Sequence, residues 1–325
     1  MRLASYRRPD GSTAVGVVQD DRVHPWPVDS TMLQIVQQGL ARALELGATA
    51  LDAAGVPLGD VTLLVPIAPS SMRDFVTFEE HVEGVRRSMD GVSGVPEAWY
   101  DAPTFYFTNP HTLIGPDEPV PFPASSSARD FELEVAAVVG QAGRSLTSDE
   151  GQDAIFGYTL LNDWSARDLQ RREMQGSLGP AKGKDFANTL GPWIVTRDEL
   201  DDRLDADGFL QLWCSVAVNG HEIGRDLLSN MGWSFGTMVA YASRDSRVVP
   251  GDVLGSGTIG NGGCLAELWG RAGEQVPPPL EDGDVVTLTV EGIGSVTNQV
   301  TSAPPAPALP AVRRRSASAA RAEAS

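Results

Sequence analysis

The chain has 325 residues, a formal net charge of −18 and only two cysteines, Cys214 and Cys264. Because the chain is strongly acidic, it repels the phosphates of nucleic acids and of anionic membranes. We therefore expect neither as a partner. Two cysteines cannot build a disulfide framework, and they lack the C-x-x-C spacing of zinc sites. The sequence predicts no signal peptide and no membrane-spanning segment, and the expected location is a reducing cytoplasm.

The first part of the chain predicts a small unit rich in β-strands. The 34 glycines and 23 prolines indicate many turns. Residues 1–66 are predicted to form a small N-terminal β-rich domain, with strands on both sides of the turn at residues 9–11. Within it, apolar residues at helical spacing predict a helix over residues 31–51.

Residues 67–301 are predicted to form the main domain. Its predicted strands include the segments FELEVAAVVG, FGYTLLND, GPWIVT, LWCSVAVNG and VVTLTVEG. Strands interrupted by only a few helices favour a mixed α+β, β-dominated fold of the β-roll or sandwich type over a parallel doubly wound sheet. Residues 302–325, rich in Pro, Ala, Ser and Arg, are predicted to be a disordered tail.

A pair of glutamates begins one of these strands. Because side chains alternate along a strand, Glu132 and Glu134 share one face about 6.6 Å apart and could hold one ion. An edge strand that turns its charges to solvent is the alternative interpretation. The apolar stretch AAVVG that follows favours a buried strand.

Two further segments carry candidate chemistry. Asp163 ends a predicted strand, and Ser165 with Asp168 three residues later is typical of a helix capping box. Arg167 and Gln170 then project from the same side of the first helical turn. Asp163 could instead belong to the cap alone.

The other segment, DFVTFEEH, predicts a helix that begins near Phe78 and carries His81. A surface histidine among glutamates is the alternative there. Arg86 and Arg87, further along the same helix, are expected on its solvated face.

Two glycine-rich segments do not support nucleotide binding. GSGTIG matches the pattern G-x-G-x-x-G, but the following NGGCLAELW looks glycine-rich and then strand-like, which provides no helix N-terminus for a pyrophosphate. GPAKGKDF places Asp185 where a phosphate loop needs a serine or threonine for magnesium.

Five segments occur in a characteristic order along the chain: DFVTFEEH, DFELEVAAVVG, GYTLLNDWSARDLQ, LGPAKGKDFANTLGPW and GSGTIGNG. Together they resemble the fumarylacetoacetate hydrolase (fumarylacetoacetase) family over residues 73–291. The resemblance implies that residues 67–301 are a catalytic β-roll domain of this family and that the chain forms a homodimer. It also implies a divalent cation held by carboxylates.

The resemblance implies these metal ligands: Asp74, Glu132, Glu134 and Asp163. Carboxylates without thiolate or imidazole form a hard site, suited to Mg²⁺ or Ca²⁺ and also to Mn²⁺. Four negative charges exceed the charge of one dication, so cationic groups are needed nearby. The resemblance places Lys184 and Arg167 there.

The activity implied by the resemblance is hydrolysis of a C–C bond in a 1,3-diketone or acylpyruvate-like molecule. His81 would draw a proton from water, with Glu267 behind its ring as the orienting carboxylate. The metal and Lys184 would stabilise the enolate leaving group. The residues expected to contact this diketo or 2-oxo acid substrate are Arg167, Gln170 and Thr258.

Two other functions stay open at the level of sequence. A decarboxylase, hydratase or tautomerase of a 2-oxo acid would use the same metal site, although the histidine at position 81 favours hydrolysis. A non-catalytic calcium-binding or scaffold protein would need no Lys184 at the metal. Val76 and Asp90 stand where fumarylacetoacetases carry a tyrosine and an arginine near the substrate's acid terminus, so fumarylacetoacetate itself is not the expected substrate. Arg86 and Arg87 could compensate for this loss, as the alternative to their expected place on a solvated helix face.

Overall fold

Strands outnumber helices in the computed structural model, which describes residues 1–313. The strands are β1 Arg2–Arg7, β2 Thr13–Gln19, β3 Arg22–Pro25, β4 Val56–Pro57, β5 Thr62–Leu63, β6 Met72–Phe75, β7 Phe105–Thr108, β8 Leu113–Ile114, β9 Val120–Phe122, β10 Arg129–Asp130, β11 Leu133–Val139, β12 Ile155–Asp163, β13 Ser165–Ala166, β14 Asn188–Thr196, β15 Trp213–Val218, β16 His221–Leu227, β17 Val253–Gly255, β18 Val285–Val290 and β19 Gly294–Ser302. The α-helices are α1 Met32–Gln37, α2 Leu40–Leu51, α3 Glu79–Asp90, α4 Ser148–Asp153, α5 Arg167–Met174, α6 Phe235–Ser243 and α7 Leu265–Ala272. This mixed, β-dominated composition confirms the predicted fold class.

The largest sheet contains strands from both of the predicted domains. Its strand order is β4-β3-β2-β1-β14-β12-β11-β17-β6-β7, with β5 beside β1 and β8 beside β14. The N-terminal strand β1 pairs with β14, where Arg2 lies opposite Val195 and Leu3 opposite Ile194. The sheet therefore crosses the boundary between residues 66 and 67, and the division into domains stays a prediction.

A five-stranded sheet, in the order β16-β15-β18-β19-β9, covers the main core, and β10 pairs with β13 apart from both sheets. Strand β11 is buried on both faces. Val135 and Ala137 pack into the core that also contains Leu288 of the smaller sheet. Ala136 and Val138 pack into a second core with the N-terminal helices. An apolar strand with both faces covered explains the unbroken AAVV run.

Three local predictions were wrong. The helix expected over residues 31–51 is two helices, α1 and α2, because Gly39 has φ +85°, a left-handed conformation that interrupts a helix. Ser165 is not a helix cap: it lies in β13, and α5 follows the cap residue Ala166. The segment NGGCLAELW does not continue as a strand, since α7 begins at Leu265 after the cap residue Cys264.

The predicted tail is described only in part. Strand β19 extends to Ser302, and residues 303–313 form no helix or strand. Residues 314–325 lie outside the described residues, so their disorder stays a prediction. Over residues 1–313, the structure contains no helix with the length and apolar character needed to cross a membrane.

Candidate active site

Neighbouring strands bring the predicted metal ligands together. Asp74 lies in β6 and Glu134 in β11, and β17 runs between these two strands. On β17, Gly255 pairs with Asp74 on one side and with Ala136 on the other. A Cβ atom on Gly255 would lie 2.8 Å from Glu134 Oε2 and 2.9 Å from Asp74 Oδ1, so glycine leaves room for the carboxylates.

The carboxylates form a tight buried cluster. One oxygen from each of Asp74, Glu132 and Glu134 lies within 4.8 Å of the others. Asp163, at the end of β12, is joined to the cluster because Lys184 Nζ donates to both Asp163 and Glu132. Among residues 1–313, Asp74 Oδ1 and Asp163 Oδ1 are buried without a hydrogen-bond partner.

Burial and mutual repulsion act on these acids. Burial raises the pKa of Asp74 and, together with the neighbouring negative charges, raises the pKa values of Glu134 and Asp163 well above their usual range. Buried oxygens without donors and acids that repel one another are the features of a site built for a cation. The donor set of carboxylate oxygens fits a hard divalent cation.

Two buried cations face the same cluster. Lys184 Nζ donates to Asp163 Oδ2 at 2.6 Å and also to Glu132 Oε2, while Arg167 Nη2 donates to Glu132 Oε1 at 2.7 Å. Burial alone would raise the pKa of Glu132, but Lys184 and Arg167 outweigh it and hold this pKa below its usual range. Glu132 is therefore ionised beside three carboxyl groups whose pKa values are raised, those of Asp74, Glu134 and Asp163.

Arg167 also extends toward Gln170, as the i, i+3 spacing predicted: Arg167 Nη1 donates to Gln170 Oε1 at 3.1 Å. On the other side, Tyr106 donates its hydroxyl to Asp163 Oδ2 at 2.5 Å. Tyr106 was not identified from the sequence. Tyr106 lies on β7 opposite Asp74 of β6, and this strand pairing brings it to the cluster.

His81 is buried on α3, so the surface-histidine alternative is wrong. Its Nε2 lies 3.8 Å from Glu132 Oε1, and its Nδ1 lies 3.5 Å from the Sγ of Cys264. Burial lowers the pKa of His81 to about 4. The ring is therefore neutral at neutral pH and can accept a proton.

Glu267 is buried in α7, but the described residues give it no hydrogen bond to His81. Its Oε1 forms an ion pair with Arg271 Nη2 at 2.5 Å and accepts from the backbone N–H of Gly262 at 3.3 Å. The expected Glu267–His81 contact is therefore not met, because the start of α7 directs Cys264 to the histidine ring. Burial raises the pKa of Glu267 to about 7.

Helices α3 and α7 pack closely through two glycines. A Cβ atom on Gly270 would lie 1.9 Å from the carbonyl oxygen of Gly84, and one on Gly84 would lie 2.5 Å from Glu267 Cγ. No side chain fits between the two backbones at these points. The helix that carries His81 is therefore held directly against α7.

Asp130 is a residue that the sequence analysis missed. Its Oδ1 accepts from the backbone N–H of Leu265 at 2.7 Å, and its Oδ2 accepts from that of Ala266 at 2.9 Å. Oδ2 also accepts from Arg167 Nε at 2.8 Å. Asp130 thus joins the first turn of α7 to the arginine that contacts Glu132. Its position two residues before Glu132, at the start of DFELEV, was the only available signal.

These side chains surround one cavity of about 310 Å³. Seven of the ten predicted site residues line it: Asp74, His81, Glu132, Arg167, Gln170, Lys184 and Thr258. Thr258 Oγ1 donates to Glu134 Oε1 at 3.4 Å, and the N–H of Gly257 donates to Glu134 Oε2 at 3.2 Å. Gly257 has φ +79°, which favours glycine at this turn. The GSGTIG loop thus contacts the acidic cluster.

The chain is similar to known proteins along most of its length. Residues 71–301 match the family model described as fumarylacetoacetate (FAA) hydrolase C-terminal. A fumarylacetoacetase from Oryza sativa is 28% identical over 315 residues, which cover 78% of this chain and 72% of the rice protein.

Two solved structures are similar as well. The fumarylacetoacetate hydrolase of Exiguobacterium antarcticum is 26% identical with a TM-score of 0.72, covering 93% of this chain and 100% of that one. A 5-carboxymethyl-2-hydroxymuconate delta-isomerase from Mycobacterium smegmatis is 30% identical with a TM-score of 0.67, covering 94% of this chain and 100% of that one. The relatives thus include hydrolases and isomerases, and this chain belongs to the fumarylacetoacetate hydrolase family.

Proposed function

We propose that this enzyme is a metal-dependent hydrolase that cleaves a C–C bond in a 1,3-diketone or acylpyruvate-like small molecule. The observation that carries the proposal is the cavity where an acidic cluster, a neutral imidazole and two buried cations meet. A scaffold protein that kept the carboxylates for stability alone would not need Lys184, Arg167 and Gln170 to line the same cavity. The similarity to fumarylacetoacetases supports the same reaction class.

The residues that would hold the metal are Asp74, Glu132, Glu134 and Asp163. Their oxygens suit Mg²⁺, Ca²⁺ or Mn²⁺. When bound, the cation would supply Lewis acidity to the oxygens of a 1,3-dicarbonyl substrate.

His81 would act as the general base. Its neutral ring accepts a proton from water, and the water oxygen forms a bond to the acyl carbonyl carbon of the substrate. The C–C bond next to that carbon then breaks, and its electron pair becomes the enolate of the 2-oxo acid product. The proton returns from His81 to the enolate carbon, which gives a carboxylic acid and a 2-oxo acid.

Lys184 and Gln170 would stabilise the negative charge that develops on the substrate. The Lys184 ammonium lies in the cavity wall and would stabilise the enolate oxygen electrostatically. Arg167 is committed to Asp130, Glu132 and Gln170, so it would orient Gln170 and leave the Gln170 amide as the donor to the substrate. Thr258 would contact the far end of the substrate.

The test is a panel of acylpyruvates and β-diketo acids, assayed with Mg²⁺ and with Mn²⁺, on the wild-type chain and on His81→Ala. We expect His81→Ala to lose hydrolysis by about 10²-fold, the usual effect of removing a general base. Mn²⁺ binding, measured by calorimetry, should persist. His221→Ala, at an exposed histidine on β16, is the matched control. Full activity of His81→Ala on a confirmed substrate would reject the assignment of the base.

A second candidate is a decarboxylase, hydratase or tautomerase of a 2-oxo acid. One observation favours it: Nδ1 of His81 faces a thiol, which stabilises an imidazolium less than a carboxylate would. The named isomerase among the relatives also supports proton transfer without hydrolysis. Exchange of the C3 protons of a 2-oxo acid with D₂O, followed by NMR without bond cleavage, would favour this candidate. Decarboxylation that survives in His81→Ala would do the same.

We also propose a cytoplasmic homodimer. Strand β7 ends the large sheet, and its Phe107 is 66% exposed. An exposed aromatic residue on an unpaired sheet edge favours pairing with a second copy. Both cysteines are free and buried, which agrees with a reducing compartment. Light scattering of the wild-type chain and of Phe107→Asp tests the dimer.

A further inference from the structure

A second cavity of about 340 Å³ opens beside the acidic one. Its walls are mainly apolar and come from α3, from the segment 96–99 and from the residue that follows β6: Val82, Val85, Pro96, Trp99 and Val76. Val76, His81, Val85 and Thr104 line both cavities. The two cavities therefore adjoin at His81, on the side of the apolar space.

Two polar groups in this wall, those of Trp99 and Arg86, donate hydrogen bonds within the protein. Trp99 Nε1 donates to the carbonyl oxygen of Val76 at 2.7 Å, so the indole ring presents its apolar faces. Arg86 lines the cavity as well, so the expectation that it lies on the solvated helix face was wrong. Its Nη1 donates to the carbonyl oxygen of Gly94, which fastens α3 to the segment that carries Trp99.

We propose that this second cavity is the specificity subsite for the acyl group of the substrate, and that the acyl group it accepts is an uncharged alkyl or aryl chain. The inference rests on the proposed function, since it names the substrate class of the same site. A carboxylate at the end of the acyl chain would lose its hydration against valine, proline and tryptophan. An apolar chain gains the transfer free energy of each buried methylene instead.

The test is a chain-length series: acetylpyruvate, butanoylpyruvate and hexanoylpyruvate, with succinylpyruvate as the acid-terminated analogue. We expect kcat/KM of the wild-type enzyme to rise about fourfold for each added methylene that the cavity covers. Succinylpyruvate should fall at least tenfold below butanoylpyruvate, which has the same number of acyl carbons. A flat series, or a preference for succinylpyruvate that Arg86→Met removes, would overturn the inference.

Two variants locate the effect in the cavity. Val85→Phe fills the space, and Val85→Thr places a hydroxyl group in the wall with almost no change in volume. Both should lower the ratio of kcat/KM for hexanoylpyruvate over acetylpyruvate, Val85→Phe by at least tenfold. Arg87→Phe adds the same aromatic ring to the exposed face of α3 and should leave the ratio unchanged. An unchanged ratio in Val85→Thr and in folded Val85→Phe would overturn the inference.

Failure of the proposed function has a different signature. If the wild-type enzyme hydrolyses none of these acylpyruvates, the proposed reaction is wrong, and the subsite is then judged by binding. Calorimetry in the presence of Mn²⁺ should show 2-oxooctanoate binding at least tenfold more tightly than pyruvate, with the difference reduced in Val85→Thr. Equal affinities for the two acids would overturn the subsite.

Discussion

Asp130 and Asp74 are both buried aspartates beside the same cavity, but their oxygens are used differently. Both oxygens of Asp130 accept hydrogen bonds, from two backbone N–H groups of α7 and from Arg167. Asp74 Oδ1 has no donor in the described part of the chain, and the residues around Asp74 include Glu132 and Glu134. Burial raises the pKa of both aspartates.

Asp130 is therefore a carboxylate that stabilises the fold, whereas Asp74 keeps an oxygen that can bind a ligand. A buried charge is tolerated when donors surround it, as they do at Asp130. At Asp74 the nearest groups are more acids, and Lys184 offsets only part of their charge. Both aspartates are buried. They differ in whether hydrogen-bond donors occupy both carboxylate oxygens.

The largest expected effect comes from Asp74→Asn. Loss of a ligand charge should lower kcat/KM with Mn²⁺ by about 10³-fold, the size expected when several kcal/mol of Lewis-acid stabilisation are lost. The same change should not lower the melting temperature measured in EDTA, because it removes one of several repelling acids. A clear drop of the metal-free melting temperature would break the comparison with Asp130.

Lys184→Met tests the cation that balances the acids. We expect kcat to fall by 10²–10³-fold, roughly the effect of removing one preorganised donor, and KM to change less. Lys182→Met is the matched control, since the Lys182 side chain is 74% exposed and pairs with Asp185. A kcat equal to that of the control would show that Lys184 is only structural.

Asp130→Asn tests the saturated carboxylate. An amide cannot accept the hydrogen bonds at both of its ends, so a backbone N–H of α7 or Arg167 is left unpaired. We expect the free energy of unfolding to fall by about 3 kcal/mol, measured by urea denaturation. Asp90→Asn, at the exposed end of α3, should change it by less than about 0.5 kcal/mol. Equal effects of the two variants would contradict the structural role.

Glu267 is intermediate between the two kinds, because Oε1 accepts from the Gly262 N–H and pairs with Arg271, whereas Oε2 has no donor within residues 1–313. Its pKa is raised to about 7 by burial, with Glu80 nearby adding to the rise and Arg271 opposing it. The folded state then binds a proton more strongly than the unfolded state. Its contribution to stability is present at pH 5 and is lost as the pH rises toward 8.

Glu267→Gln should therefore remove about 2 kcal/mol of the fall in unfolding free energy between pH 5 and pH 8. Denaturation curves at the two pH values measure it. Glu45→Gln, on the exposed side of α2, gives the effect of losing a surface charge. If the unfolding free energy falls equally in Glu267→Gln and in the wild-type chain, the Glu267 carboxyl does not titrate between pH 5 and pH 8.

Strands were predicted well because their signal is local. Runs such as TAVGVVQ and FGYTLLND contain their own alternation or apolar length, and they form β2 and β12. The split at Gly39 and the start of α7 were missed because each depends on a single backbone conformation or cap.

The candidate site was predicted through a resemblance. One oxygen from each of Asp74, Glu132 and Glu134 lies within 4.8 Å of the others, and their role as metal ligands stays a prediction. What the sequence could not provide were contacts between distant segments. Asp130 bonds to residues 135 and 136 positions later, and Cys264 meets a histidine 183 positions earlier. No spacing rule connects such residues, since the pairing depends on how α7 packs on α3.

The close approach of Gly84 and Gly270 limits how the site can open. With no side chain between the two backbones, α3 cannot slide or lift from α7 without losing the whole contact at once. Opening of the cavity on the His81 side must move the two helices together or separate them completely. Amide hydrogen exchange should therefore show matched protection in α3 and α7, as one cooperative unit and not as a hinged flap over a fixed base.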